Sequence, residues 1–244
     1  MAPTALELLQ PLRSALVPVP AIQSDICRIC HSSTNPGYST CYQCGFDAAG
    51  LAATEVVPIT MSVGGELVHH HLRNYKDGRT DDERERLTRR LAALLAVFLA
   101  NHSACLGEWD YAATIPSPTR SAVTTIADRT RLLHGNVRPV LSAVDGRFDR
   151  QFTLDRFALS DAVSGDRVLL IDDTYASGAA VQSAAAVLRA GGAEVVGPVV
   201  LGRHVEPGWG PSARMLDWLR GRRWEPSRCC RCDGEMRDLD ALPI

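Results

Sequence analysis

Two adjacent carboxylates follow a short apolar run in the segment VLLIDDTYASGAA, residues 168–180. The run ending at residue 171 is typical of a buried strand, and the small residues after the acid pair lead into an Ala-rich stretch typical of a helix. Ligands of open parallel sheets bind at the carboxyl ends of the strands, where we expect Asp172 and Asp173. The unpaired first-turn amides of the next helix, which starts near Gly178, favour phosphate.

The two halves of this segment favour different chemical groups. The carboxylates would repel a phosphate, but they suit hydroxyl groups or a Mg²⁺ ion a few ångströms away. A ribose 5-phosphate with free 2- and 3-hydroxyl groups fits both halves. A Walker B segment is excluded, because its Walker A partner needs Gly-Lys-Ser/Thr and the only lysine, Lys76, follows Tyr75. A plain polar turn with solvated carboxylates stays open as the alternative.

A second group of chemically active residues lies near the N-terminus. Cys27, Cys30, Cys41 and Cys44 form a C-x₂-C-x₁₀-C-x₂-C pattern, which can surround one tetrahedral Zn²⁺ with four thiolates. Four thiolates leave no open coordination position, so we expect a structural zinc. A redox pair or four unliganded thiols is the alternative.

The remaining cysteines give a weaker signal. Cys229 and Cys232 repeat the C-x₂-C spacing around Cys230, but no second pair follows them. Two interpretations stay open: a metal site completed by His31 or the histidines at 69–71, and inert or oxidisable thiols, which we favour. Cys105, alone near the end of a predicted helix, is expected to pack in the core.

Composition sets the broad class. The chain has 244 residues, 45% of them hydrophobic, and a formal net charge of -2, which is ordinary for a globular protein and requires no nucleic-acid or membrane partner. The longest apolar run, 91–100, is too short to span a bilayer, and no signal peptide is recognisable. We therefore expect a cytoplasmic protein, in which eight cysteines favour metal binding or free thiols over disulfides.

Alternating strand and helix patterns predict an α/β fold with a mostly parallel sheet. Strands are predicted at 55–63, 111–116, 167–171 and 194–203, with an extended segment at 138–144. Helices are predicted at 4–17, 66–78, 121–134 and 178–190, with a further one capped by Thr80. We divide the chain into an N-terminal helix and cysteine module at 1–50, an α/β domain at 51–205 and an extension at 206–244 that contains Arg, Trp and Cys.

The segment at 168–180 resembles the motif by which type I phosphoribosyltransferases bind phosphoribosyl pyrophosphate (PRPP). The resemblance implies that Asp172 and Asp173, the catalytic pair, contact the ribose hydroxyls. It also implies a 5-phosphate loop made of Thr174, Tyr175, Ala176, Ser177, Gly178, Ala179 and Ala180. The family often has Thr or Ser where this chain has Ala180, which removes about one hydrogen bond worth on the order of 1–3 kcal/mol.

A zinc module before such a domain resembles the ComF family over about 25–205. That resemblance implies pyrophosphate contacts from Lys76 and from the turn after the strand at 111–116, through Ser117, Thr119 and Arg120. It also implies a mobile loop at 145–157 carrying Arg147, Arg150 and Arg156. A solvated lysine, prolines that only end a strand, and an exposed loop are the respective alternatives. The family's Pro-Val-Pro and Arg-Gly-Phe-Asn elements are missing, which indicates a divergent branch.

The expected function is transfer of a phosphoribosyl group from Mg²⁺-bound PRPP to a nitrogen acceptor, with release of pyrophosphate. One alternative is a PRPP- or nucleotide-sensing protein without catalysis, which Ala180 favours. Another is single-stranded DNA handling, in which Trp218 and Trp224 stack on bases beside arginines of 215–228. The net charge of -2 argues against nucleic acid. The expected partner is the small-molecule substrate, with no membrane partner, and a homo-oligomer stays open.

Overall fold

The structure is a computed structural model that describes residues 3–47, 53–78, 80–117, 122–144 and 150–232. The described helices are α1 (Ala5–Arg13), α2 (Tyr42–Asp47), α3 (Leu67–Asp77), α4 (Asp81–Leu106), α5 (Ala122–Arg129), α6 (Ala179–Ala190) and α7 (Gly210–Arg220). The described strands are β1 (Val57–Val63), β2 (Tyr111–Thr114), β3 (Leu141–Ala143), β4 (Phe157–Leu159), β5 (Arg167–Tyr175) and β6 (Glu194–Val205).

A four-stranded parallel sheet in the order β1-β6-β5-β2 forms the centre of the molecule. Both faces are covered, which explains the apolar runs Val168–Ile171 in β5 and Val199–Leu201 in β6. Leu169 and Ile171 point to the face packed against α1, α4 and α5, whereas Val168 and Leu170 point to the face packed against α6 and the N-terminal cysteines. The predicted α/β fold with a parallel sheet is confirmed.

The helix boundaries follow from capping residues. The Thr80 side chain accepts a hydrogen bond from the Glu83 amide at the start of α4, and three acidic residues occupy the first turn, where they suit the helix dipole. Thr4 and Glu7 form a capping box at the start of α1. The predictions of helices near 66–78, after Thr80 and at 178–190 are confirmed.

Two strand predictions differ from the structure. Strand β5 does not end at residue 171 but continues to Tyr175, because Asp172 and Thr174 pair with Val200 and Gly202 of β6. The predicted extended segment at 138–144 contributes β3, which pairs with β4 in a separate antiparallel hairpin and not with the central sheet.

The segment after β6 packs back onto the sheet. Met215, Leu216 and Leu219 of α7 join a small apolar cluster with residues at the carboxyl ends of β1 and β6. Trp224 is buried, and its indole N–H donates to the Ile59 carbonyl over 3.0 Å. Among the described residues, no helix combines the length and the apolar character that crossing a bilayer needs.

One of the two tryptophans considered for stacking on single-stranded DNA, Trp224, is not exposed. Trp224 is 7% exposed and its ring is used for internal packing. Trp218 is exposed, but the Arg222 guanidinium lies 4.2 Å from its ring centroid. The described structure therefore offers no pair of exposed tryptophans in this segment.

Candidate functional site

The acid pair lies at the carboxyl end of the central strand β5. Strand β2 stops at Thr114, opposite Ile171, and the Ile115 amide then donates to the Ile171 carbonyl over 3.1 Å. Strand β5 therefore extends beyond the end of β2. This leaves Asp172 and Asp173 beyond the last paired residue of β2, and Asp173 is 6% exposed.

Helix α3 places two polar side chains on Asp173. The Lys76 ammonium lies 2.5 Å from the Asp173 carboxylate, and the Tyr75 hydroxyl donates to the same oxygen. Burial of the Tyr75 phenol and the neighbouring Asp173 charge raise the pKa of Tyr75, so the phenol remains a donor. Lys76, chosen from the sequence as a pyrophosphate contact, thus lies at the acid pair.

Asp172 is in a different environment. Its carboxylate accepts a hydrogen bond from the Asp173 amide over 2.9 Å. Burial and the adjacent Asp173 carboxylate raise the pKa of Asp172 well above its ordinary range, and Lys76 offsets only part of this effect. An additional cation or a hydroxyl donor beside Asp172 would stabilise its charged form.

A groove of 770 Å³ opens beside Lys76, between the first turns of α4 and α5. Its walls carry both charges, because Asp81, Asp82 and Glu85 face it together with Arg84 and Arg129. Tyr75 and Lys76, which both contact Asp173, line this groove.

The loop between β5 and α6 provides a compact turn of small residues. Gly178 adopts φ +90°, and a Cβ built there would lie 2.2 Å from the Tyr175 hydroxyl, so glycine is required at this position. The Ser177 hydroxyl accepts from the Ala179 amide over 3.4 Å. The backbone of Ala176–Ala180 can therefore present amides at the start of α6 to an anion.

Tyr175 belongs to this loop by its backbone only. Its ring is 1% exposed, and its hydroxyl contacts the Cys44 thiol and the Gln182 amide at 3.4 Å each. The Arg203 guanidinium lies 5.3 Å from the ring centroid and donates to the carbonyls of Tyr175 and Ala176. These contacts hold the β5–α6 loop in place from its buried side.

Arg203 is a residue that the sequence analysis missed. It is 5% exposed, and it lies on β6 in the run VVLGRHV. A lone arginine within an apolar strand was the available signal, because arginine is rarely buried unless it is paired.

The four N-terminal cysteines lie together. All four are buried, and their sulfur atoms lie within 4.8 Å of one another. Cys30 and Cys41, from the two different C-x₂-C pairs, are 3.7 Å apart. This donor set could hold a tetrahedral Zn²⁺.

The cysteine module and the β5–α6 loop form two walls of one cavity of 590 Å³. Cys41, Tyr42 and Gln43 line it on one side, and Ala176 and Ser177 on the other. Arg150, from the mobile loop that the resemblance implies at 145–157, also lines this cavity.

Other predicted residues are dispersed or undescribed. Ser117 follows β2 at the same end of the sheet as the acid pair, whereas Thr119, Arg120 and Arg147 lie outside the described residues. Arg156 contacts the Phe157 ring, with its guanidinium 5.9 Å from the ring centroid.

The C-terminal cysteines have a histidine neighbour other than those considered from the sequence. Cys229 and Cys232 lie beside Cys105 and His102 of α4. His31 instead bonds the Pro20 carbonyl, and His71 bonds the Leu67 carbonyl. Cys105 therefore contacts other thiols, where the sequence predicted simple core packing.

Comparisons with known proteins give limited matches. No protein-family model matches the chain. Two curated proteins, the adenine phosphoribosyltransferases of two strains of Treponema pallidum, are each 60% identical to it over 38 residues. That stretch is 16% of this chain and 20% of each relative, so the chain matches a fifth of their length.

Two solved structures overlap with part of the chain. Leishmania donovani UMP synthase has a TM-score of 0.28 and 24% identity, covering 54% of this chain and 27% of that protein. A phosphoribosyltransferase from Corynebacterium diphtheriae has a TM-score of 0.29 and 21% identity, covering 57% of this chain and 76% of that protein.

Proposed function

We propose that this protein binds PRPP with Mg²⁺ and transfers its phosphoribosyl group to a nitrogen acceptor, with release of pyrophosphate. The observation that carries the proposal is the position of Asp172 and Asp173. They lie near the carboxyl end of β5, beyond the end of β2 and one short glycine-containing loop before the start of α6. That juxtaposition suits a ligand with a diol and a phosphate on one five-membered ring.

In the proposed complex, Asp172 and Asp173 accept hydrogen bonds from the two ribose hydroxyls. The backbone amides of residues 174–180 hold the 5-phosphate, and the Ser177 hydroxyl lies in the same loop. Ala180 contributes only its amide, so the phosphate depends on the backbone more than it would with a hydroxyl residue there.

Lys76 has two partners in this proposal. Without ligand it forms the ion pair with Asp173 at 2.5 Å. A bound pyrophosphate group would compete for the ammonium, and Ser117, Thr119 and Arg120 are proposed as further pyrophosphate contacts. Exchange of Lys76 from carboxylate to pyrophosphate would free Asp173 to accept from the ribose.

The acid pair also suits the Mg²⁺ ion that PRPP carries. The Lys76 ammonium pairs with Asp173, and burial followed by the adjacent Asp173 charge raises the pKa of Asp172. Oxygen ligands of this kind are those that Mg²⁺ prefers. When bound, the ion would offset charge on the leaving pyrophosphate, a contribution that Lys76 adds to.

The bond changes of the proposed reaction are simple. The lone pair of the acceptor nitrogen forms a bond to ribose C1 while the bond from C1 to the pyrophosphate oxygen breaks, and that electron pair leaves with pyrophosphate. The nitrogen loses its proton to solvent. The chain's residues mainly position the reactants and balance charge, which is an established source of rate enhancement.

We further propose that Cys27, Cys30, Cys41 and Cys44 hold a structural zinc. A closed set of four thiolates would fold the module and leave no position for substrate. Through the contact of Cys44 with Tyr175, this zinc module would also hold the β5–α6 loop in place.

Calorimetric titration of PRPP, with and without Mg²⁺, tests the binding step. The Asp172→Asn, Asp173→Asn double variant should lose Mg²⁺-dependent binding. Asp217→Asn, which changes an exposed carboxylate on α7, is the matched control and should bind as the wild type does. Absence of binding by the zinc-loaded wild type would contradict the proposal.

Turnover is tested by pyrophosphate release in the presence of candidate acceptors. Adenine is the first acceptor to test, because the 38-residue match is to proteins named adenine phosphoribosyltransferase. Mg²⁺-dependent PRPP binding without pyrophosphate release from any base or amine would favour the non-catalytic sensing alternative.

A further inference from the structure

Four metal-ligating side chains meet where the end of α4 contacts the C-terminal extension. His102 and Cys105 come from α4, and Cys229 and Cys232 come from the turn after Trp224. Their ligand atoms all lie within 4.8 Å of one another. We propose that these residues hold a second structural Zn²⁺ ion in a Cys₃His site that fastens the extension to the α/β body.

The distances in this cluster fit a tetrahedral ion. The three sulfur atoms are 3.4, 3.4 and 3.7 Å apart, and the His102 Nδ1 atom lies 3.3 Å from the Cys232 sulfur. Zinc bonds of about 2.3 Å to sulfur and about 2.0 Å to nitrogen place tetrahedral ligands about 3.8 Å and about 3.5 Å apart. The observed distances between ligand atoms are only slightly shorter than these values, so one ion can bond to all four atoms.

The ring of His102 is oriented for metal binding. Its Nε2 atom lies 2.8 Å from the Pro226 carbonyl oxygen, and a carbonyl can only accept, so Nε2 carries the proton. The neutral ring then has its lone pair on Nδ1, which faces the sulfur atoms. Zinc-ligating histidines usually have such a carbonyl or carboxylate partner on the other ring nitrogen.

The backbone on both sides also suits a metal site. His102 and Cys105 are three residues apart on α4, so they lie on the same helix face. In the C-terminal turn the Cys229 amide donates to the Cys232 carbonyl over 2.9 Å, and the Arg231 amide donates to the Cys229 sulfur over 3.4 Å. An amide that donates to sulfur stabilises the thiolate form that binds zinc.

Zinc at this position would join Cys105 and Cys229, which are 124 residues apart in the chain. The extension is also held by the Trp224 hydrogen bond to β1 and by the Arg231 ion pair with Glu55 at 3.2 Å. The ion would therefore crosslink the extension to α4, close a long loop and keep residues 224–232 packed on the sheet.

Metal counting on the full chain tests the proposal. Elemental analysis of protein purified under reducing conditions with added zinc should give two zinc ions per chain. The Cys229→Ser, Cys232→Ser variant should hold one, and Cys27→Ser, Cys30→Ser should hold the other. Cys230→Ala is the matched control, because this buried neighbour lies in the same turn but outside the cluster, and it should keep both ions.

A pair of substitutions at His102 separates metal ligation from packing. His102→Cys preserves a ligand and should retain two ions, whereas His102→Ala should weaken the second site selectively. Co²⁺ loaded into wild type and His102→Cys should give different sulfur-to-metal absorption, because the fourth ligand changes from nitrogen to sulfur. If His102 only packs, the Co²⁺ spectrum of His102→Ala would match that of the wild type, and that result would overturn its assignment as a ligand.

Limited trypsin digestion provides an independent readout. A chelator should accelerate cleavage after Arg222, Arg223 and Arg228 in the wild type, and the Cys229→Ser, Cys232→Ser variant should already be cleaved rapidly without chelator. One zinc per chain in the wild type, or a Cys229–Cys232 disulfide in protein prepared with reductant, would overturn the proposal. Retention of two ions by the Cys229→Ser, Cys232→Ser variant would overturn it as well.

Discussion

The two cysteine clusters of this protein are assembled in different ways. Cys27, Cys30, Cys41 and Cys44 come from one stretch of 18 residues, 27–44, and their spacing alone identifies them. The second cluster combines the end of α4 with a turn that follows more than a hundred residues later. A local cluster can be recognised before the fold is known, whereas a cluster between distant segments exists only once the fold has formed.

The clusters also differ in burial and in their neighbours. All four N-terminal thiols are buried, and Cys44 contacts the tyrosine under the β5–α6 loop. In the second cluster only His102 is buried, and its Nε2 atom contacts the Pro226 carbonyl of the extension. Metal loss at the first cluster should therefore disturb the candidate site, and metal loss at the second should mainly release the extension.

Removal of a thiol pair from each cluster gives the largest expected effect. Cys27→Ser, Cys30→Ser should lower Tm by about 10–20 °C, because loss of a structural zinc costs about 4–5 kcal/mol or more. Cys229→Ser, Cys232→Ser should lower Tm by about 4–10 °C, because this cluster orders a shorter segment. Differential scanning calorimetry at fixed zinc and protein concentration measures both.

PRPP affinity sharpens this first comparison. We expect the N-terminal variant to lose PRPP binding and the C-terminal variant to keep it within about threefold, which is less than 1 kcal/mol. Equal loss of binding in the two variants would contradict the separation of the clusters.

Gln182 is expected to give the next largest effect. Its buried amide accepts from the Thr54 amide over 2.9 Å and donates to the Thr54 carbonyl over 2.8 Å. Gln182→Ala leaves both backbone groups without their partner and should cost about 2–4 kcal/mol of unfolding free energy. Gln182→Glu keeps the acceptor and should cost less.

Urea denaturation of both variants measures these costs. Because Thr54 follows the N-terminal module, Gln182→Ala should also reduce PRPP affinity while leaving tryptic cleavage after Arg228 unchanged. Faster cleavage of the extension in Gln182→Ala would show that the two ends of the molecule are coupled through α6.

The sequence predicted the local features of this molecule better than the distant ones. The apolar run 168–171 identified β5, but the strand was expected to end with that run at residue 171. Asp is disfavoured in strands. Pairing with β6 overrides that preference, so Asp172 and Thr174 stay in the sheet. The cap at Thr80 depends on adjacent residues and was predictable.

The candidate site shows the same limit. Asp172, Asp173 and the Gly178 turn could be identified from contiguous residues, and Lys76 from the family resemblance of its segment, in which it is the only lysine. The hydrogen bond from Tyr75 and the buried Arg203 under the loop depend on how α3 and β6 pack, which no local pattern specifies. His102 was missed for that reason too, since its thiol partners in the extension lie more than 120 residues away.

The acid pair should respond asymmetrically to neutralisation. Asp173→Asn removes the charge that Lys76 pairs with and weakens the acceptor for Tyr75, so it should cost about 1–3 kcal/mol. Asp172→Asn should instead raise the unfolding free energy at pH 8, because the raised pKa of Asp172 means that folding disfavours its charge.

The sign of the pH dependence follows from proton binding. Between the ordinary pKa of 3.8 and the raised folded pKa, the folded state binds more protons at Asp172 than the unfolded state. Stability from this group therefore falls as pH rises through that window. The advantage of Asp172→Asn over the wild type should be larger at pH 8 than at pH 5, and an advantage that shrinks with rising pH would contradict the assignment.

Glu55 connects the two clusters and should give the smallest effect. Its carboxylate lies 3.4 Å from His31, the neighbour of Cys30, and 3.2 Å from Arg231, the neighbour of Cys232. The side chain is 35% exposed, so Glu55→Gln should cost only about 0.5–1 kcal/mol at pH 7. Both proposed zinc ions should remain bound, as elemental analysis can check.

A double-mutant cycle then measures the coupling free energy between Glu55 and the second cysteine cluster. Glu55→Gln is combined with Cys229→Ser, Cys232→Ser, and urea denaturation at pH 7 gives the four free energies. If release of the extension carries Arg231 away from Glu55, Glu55→Gln should cost about 0.5 kcal/mol less in that background than in the wild type. If the two free-energy costs add fully, Arg231 stays paired with Glu55 without the proposed second zinc. The zinc would then order only the cysteine turn itself.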